Sequence, residues 1–257
     1  MPKFAANLSF LFTEVPFAER FSRAAAAGFA GVEYLFPYEW PIPDVADWLA
    51  AAELEQVLFN LPPGDWAKGE RGLACLPGRQ GEFAGSVEQA LAYARALGCR
   101  RVHCMAGLRP PEVAESEVEA VYVANLRHAA DCLAPEGIEV LIEPINSRID
   151  MPNYWLDDVD KAIRLLDRIG RDNVLLQLDL YHAQIIQGDL ARTLERHIGR
   201  IGHVQIADNP GRHEPGSGEI HYPFLFDLLD RLDYSGWIGC EYKPRAGTEA
   251  GLIWRPR

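Results

Sequence analysis

Basic residues are scarce in this 257-residue chain: 25 Lys+Arg stand against 37 Asp+Glu, and the formal net charge is −12. Nucleic-acid recognition needs a basic field and anionic membrane surfaces need a polybasic patch, so neither is expected as a partner. Cysteine is sparse and odd in number, five in all, with no Cys-x-x-Cys pair. That argues against a disulfide framework: Cys75, Cys99, Cys104, Cys132 and Cys240 read as free thiols of a reducing compartment, and a cytoplasmic location is expected. The N-terminus has no apolar signal-like stretch, and no run approaches the roughly 18 apolar residues of a membrane span. Low-complexity segments and domain linkers are missing as well. So are the HExxH zinc signature, the GxxxxGK[ST] phosphate loop and the GxSxG nucleophile elbow.

What the sequence does have is a repeated unit, an amphipathic stretch followed by glycine and a short β-rich run. Gly28, Gly98, Gly137, Gly170, Gly199 and Gly236 each precede such a run. Glycine suits the position just past a helix end because it takes positive φ without a Cβ clash. Val118, Val121, Tyr122, Leu126, Ala129 and Leu133 recur at helical spacing, as do Tyr222, Leu225, Phe226 and Leu229. Val159, Ile163, Leu166 and Ile169 do the same behind Asp157, the expected N-cap. Eight strands are expected, near residues 4–8, 31–35, 55–60, 101–106, 138–143, 174–179, 201–206 and 237–241. From the second onward they recur about every 35 residues, the length of a βα unit. The expectation is an α/β chain forming a single (β/α)8 TIM barrel over residues 1–257. A doubly wound open sheet is the alternative, but it usually carries a glycine-rich loop after its first strand and none occurs here, so no nucleotide cofactor is expected. Residues 61–80, rich in Pro and Gly, break the rhythm and read as a long βα loop over the catalytic end.

Catalytic groups of such a barrel sit where strands end. The fifth strand ends at Glu143, the sixth at Asp179 and the eighth at Glu241, while the seventh carries Gln205. Three converging carboxylates repel unless a cation offsets them, and an all-oxygen set suits Mg2+ or Mn2+ better than Zn2+. A cation holding both oxygens of an α-hydroxy carbonyl compound acidifies the C–H between them. One glutamate can then take the proton, giving a cis-enediolate, and the other can return a proton to the adjacent carbon.

Six blocks together resemble the hydroxypyruvate isomerase family, of the xylose isomerase-like barrel superfamily. They are Phe-Ala-Ala-Asn-Leu-Ser (4–9), Phe-Pro-Tyr (36–38), Gly-Asp-Trp-Ala-Lys-Gly-Glu-Arg-Gly (64–72), Ile-Glu-Pro-Ile-Asn (142–146), the stretch from Gln205 to Ile220, and Gly-Cys-Glu-Tyr-Lys-Pro (239–244). The resemblance implies interconversion of hydroxypyruvate and tartronate semialdehyde, with Glu143 and Glu241 as the catalytic pair. It implies Glu143, Asp179, Gln205 and Glu241 as metal ligands, and His182 and Arg212 as substrate-binding residues. Arg71, Arg212 and Lys243, with His103 behind them, are the candidates to meet the carboxylate of a small anionic oxo acid. Asn7 and Asn60 end strands one and three, where they could position hydroxyls or serve backbone turns. A 2-oxo-tetronate isomerase or a related sugar or sugar-acid epimerase is the near alternative, and a metal-dependent phosphodiesterase the distant one. A non-catalytic barrel that binds a sugar acid is a further alternative, against which Glu143 and Glu241 stand. A homo-oligomer is left open.

Overall fold

The computed structural model describes residues 2–255. Its strands are β1 (Lys3–Asn7), β2 (Gly31–Tyr34), β3 (Glu55–Asn60), β4 (Arg101–His103), β5 (Glu139–Ile142), β6 (Val174–Asp179), β7 (Ile201–Ile206) and β8 (Trp237–Cys240). Between them run helices α1 (Phe17–Ala26), α2 (Ile42–Ala51), α3 (Gln80–Leu97), α4 (Glu115–Leu133), α5 (Val159–Ile169), α6 (Leu180–Ile186), α7 (Leu190–His197) and α8 (Tyr222–Arg231). The strands follow one another in sequence order as a closed barrel, each near its expected place.

The chain divides into two compact units, one running to Val57 and resuming at Leu178, the other Leu58–Gln177. In the first, β1 lies parallel between β2 and β8, and β8 pairs in turn with β7. The register sets Asn7 beside Glu33, and Gly239 beside both Ala5 and Gln205. Gly31 is required here by close approach: a Cβ would meet Val57 and the Trp237 ring. Phe17, Phe21, Tyr34, Trp40 and Trp48 form an aromatic cluster, with Phe17 stacked on Trp40 at 4.0 Å.

In the second unit β4 pairs parallel with β3 and β5, and β5 with β6. Helix α5 shows why its sequence is helical: Val159, Ala162, Leu165, Leu166 and Ile169 form one buried stripe. Its N-cap is Asp158, not the expected Asp157, since Asp158 Oδ1 accepts from Lys161 N at 2.6 Å. Gly170 closes it in the left-handed region at φ 61°. On α4 the buried stripe takes in Val123 rather than Val121.

The glycine rule fails at two of its places. Gly199 lies inside the 3-10 turn Ile198–Arg200. Before β8 the left-handed residue is Asp233, at φ 55°, not Gly236; a short polar side chain is among the few that tolerate this conformation. The long connection of residues 61–80 ends where α3 begins, and it is partly anchored. Gly72, Leu73, Ala74 and Cys75 are buried, and Cys75 N donates to Ala106 O at 2.8 Å.

Candidate active site

In the first unit, sequence-distant polar side chains gather at the ends of β1, β6, β7 and β8. Glu241 directly follows β8 and is buried. Its Oε2 accepts from Asn7 Nδ2 at 3.0 Å and Gln205 Nε2 at 2.7 Å, and its Oε1 accepts from Arg212 Nη2 at 2.6 Å. Burial pushes the Glu241 carboxyl up to about 8, with Asp179 and Glu33 adding to the rise. Arg212 and the Gln205 hydrogen bond oppose it.

Asp179 ends β6 and caps α6, its Oδ1 accepting from Tyr181 N at 2.8 Å. Its Oδ2 lies 3.7 Å from His182 Nε2 and 3.9 Å from Arg212 Nη2. His182 falls one turn along α6 from the cap, which brings the two side chains to one face. Arg212 takes φ 55° in the loop after β7, and its guanidinium stands 5.2 Å from the Tyr181 ring and 5.0 Å from the Phe10 ring. That loop is tied to buried Asp208, whose carboxylate accepts from the backbone N–H groups of Gly216, Gly218 and Ile220.

In the second unit Glu143 directly follows β5 and is buried. His103, at the end of β4, has its Nδ1 at 3.3 Å from Asn60 Oδ1 and 3.5 Å from Glu143 Oε2. Arg71 belongs to the long loop: it donates to the carbonyls of Trp66 and Glu70 and stacks on the Trp66 ring at 3.9 Å. Asp179, His182, Gln205, Arg212 and Glu241 thus come together within one unit, and His103 and Glu143 within the other. Lys243 is exposed, and it meets the first group through its backbone, Lys243 N donating to Arg212 O at 2.8 Å.

Sequence reading missed Glu33 and His203. Both are buried, and His203 Nε2 lies 2.7 Å from Glu33 Oε2. A period of two counted back from Gln205 puts His203 on the same face of β7 and would have found it.

The model for the family described as xylose isomerase-like TIM barrel matches residues 21–256. The chain belongs to that family. It is similar to a 2-oxo-tetronate isomerase of Cupriavidus necator (52% identity, covering 99% of this chain and 97% of the relative) and to the hydroxypyruvate isomerase of Escherichia coli (49%, 99% and 98%). It also resembles a crystal structure described as AP endonuclease, family 2, from Brucella melitensis, at a TM-score of 0.97 and 53% identity over 99% of this chain and 98% of that one. The resemblance to hydroxypyruvate isomerases therefore stands, and it makes this member of the xylose isomerase-like family an isomerase. Glu143, Asp179 and His182, each buried, are side chains compatible with a divalent metal ion. Among the described residues no helix is long and apolar enough to cross a membrane.

Proposed function

We propose that this protein interconverts hydroxypyruvate and tartronate semialdehyde by proton transfer through a cis-enediolate. The observation that carries this reading is Glu241, a buried carboxyl clamped by Asn7, Gln205 and Arg212 with its pKa pushed up to about 8. A group that exchanges its proton near neutrality is matched to general acid–base work. Glu143 and Glu241 are the proton-transfer pair: one removes the proton beside the carbonyl, and the other returns a proton to the neighbouring carbon.

The donor chemistry of Glu143, Asp179, Gln205 and Glu241 fits a hard divalent cation, since every donor they supply to it is oxygen. Bound Mg2+ or Mn2+ would polarise the substrate oxygens and acidify the C–H between them. Of the cations nominated for the substrate carboxylate, Arg212 is preferred. Its side chain is 12% exposed and already engages Glu241, whereas Arg71 is committed to its own loop and Lys243 is exposed. His182, beside Asp179, is assigned to a substrate oxygen and keeps that end of the substrate in register.

A four-carbon 2-oxo-tetronate is the second substrate reading, favoured by the 52% and 50% identity to proteins named 2-oxo-tetronate isomerase. The chemistry is the same, and the two readings separate on kcat/KM measured with hydroxypyruvate and with the four-carbon acid. Turnover in D2O is expected to place deuterium in the product. Complete retention of the substrate hydrogen at every pH would replace the enediolate with a hydride shift. Cleavage of an abasic DNA duplex, with no isomerisation of either acid, would replace the isomerase reading with the phosphodiesterase one; the net charge of −12 stands against that outcome.

A further inference from the structure

Glu33 is 1% exposed and neither takes nor gives the transferred proton, although its charge adds to the rise of the Glu241 pKa. Its surroundings are nonetheless built around it. Oε1 accepts from Asn7 Nδ2 at 3.0 Å and from Gln205 Nε2 at 2.7 Å, and Oε2 lies 2.7 Å from His203 Nε2. A Cβ on Gly239 would fall on the Glu33 carboxylate, so the missing side chain at 239 is what makes room for it.

The consequence falls on Gln205. Its Nε2 donates to Glu33 Oε1 and also to Glu241 Oε2 at 2.7 Å. An amide NH2 has two donors, and here both meet carboxylate oxygens, which accept and do not donate when ionised. Turning the amide over would set its oxygen against the Glu33 carboxyl and withdraw the N–H that Glu33 Oε1 accepts. We propose that Glu33 is a positioning residue that fixes the Gln205 amide so that it presents its carbonyl oxygen, the atom a hard cation takes, to the site. This role rests on the assignment of Gln205 as a metal ligand. Asn7 and His203 hold Glu33 in turn, so the orientation is set by residues from β1, β2 and β7 together. Partners of this kind behind metal ligands typically alter affinity 10- to 100-fold.

The test compares wild type with Glu33→Leu and Glu33→Gln, using Mn2+ alone as the probe. Titration of the intact protein is expected to show a Kd at least about 10-fold weaker in Glu33→Leu, and a smaller loss in Glu33→Gln. Glutamine at 33 can still offer an oxygen to Asn7 and Gln205 if His203 shifts its proton to Nδ1, which is why the conservative variant should partly rescue. In parallel, NMR of protein labelled with 15N-glutamine should show Gln205 side-chain N–H groups that exchange slowly in wild type and at least about 10-fold faster in Glu33→Leu, both donors having been held by carboxylates.

Mn2+ affinity in Glu33→Leu within about twofold of wild type, with only the thermal midpoint lowered, would make Glu33 merely structural and overturn the role. If Glu33→Leu does not fold, the wild-type spectrum decides: Gln205 N–H groups exchanging at the rate of free glutamine overturn it too. Wild type that binds no Mn2+ removes the metal reading and this role with it. Tight binding that Glu33 variants share removes this role alone.

Discussion

Glu241 receives three hydrogen bonds from side chains, one of them from a guanidinium, yet its carboxyl is driven upward by burial. Replacing the carboxylate by an amide removes the proton carrier and leaves the shape. Glu143→Gln and Glu241→Gln are each expected to lower kcat at least about 100-fold with an intact fold by circular dichroism; turnover unchanged in either would remove that glutamate from the chemistry. The shifted pKa also makes a stability prediction whose sign can be fixed. Folding raises the Glu241 pKa from 4.5 to about 8. A carboxyl raised in this way contributes stability that is complete below its unfolded value and is lost as the pH climbs through its folded value. With chelator present, Tm should fall more steeply from about pH 5 to about pH 8 in wild type than in Glu241→Gln, where nothing titrates at that position. Equal slopes in thermal melts would mean that Glu241 is already ionised in the metal-free protein. The same sign predicts that Mn2+ binds more tightly as the pH rises through 8, with release of a proton on binding.

At the scale of the element, the loop between β7 and α8 is held from within by one buried carboxylate. Asp208 Oδ2 accepts from Gly216 N at 2.9 Å and Gly218 N at 2.8 Å, and Oδ1 accepts from Ile220 N at 3.0 Å. Asparagine there must turn its NH2 toward at least one backbone donor, and a buried donor left unpaired costs about 1–3 kcal/mol. Asp208→Asn should therefore loosen the loop that carries Arg212. The expected reading is a rise in KM of about 10-fold or more with a smaller change in kcat, since about 1.4 kcal/mol corresponds to tenfold in binding. A kcat loss at constant KM would show instead that Asp208 acts on the proton-transfer step.

Elements are also where the sequence is most and least legible. Gly98 and Gly170 reveal helix ends because each takes a left-handed cap. Asp233 hides the same function in a residue type used everywhere. Asp157 and Asp158 are neighbours of one kind, and only the bond from Lys161 N separates them. Strand-end residues such as Glu143 and Asp179 can be read directly, because a β-rich run points to them. Glu33 cannot, because its meaning depends on a register that sets Asn7 beside it and on the side-chain bonds that β7 supplies.

At the scale of the whole molecule, the five cysteines test how completely the described residues exclude solvent. Cys75, Cys99, Cys104 and Cys240 are buried, and Cys132 on α4 is half-buried. Burial raises the Cys75 thiol to about 12 and raises Cys104 and Cys240 as well. Attack on a disulfide reagent needs both a thiolate and access to it. Cys132 has the access, although burial and the neighbouring Asp131 and Glu88 also push its thiol upward. Native protein at pH 8 should then release one equivalent of thionitrobenzoate from Ellman's reagent, slowly, and five after denaturation. Cys132→Ser should abolish the native signal and leave four in denaturant. A second thiol reacting at a comparable rate in the native protein would mean that one of the buried cysteines is exposed by opening on that timescale. Cys104 directly follows β4 and Cys240 ends β8, so identifying the reactive residue by mass spectrometry would say which of the two compact units opens first.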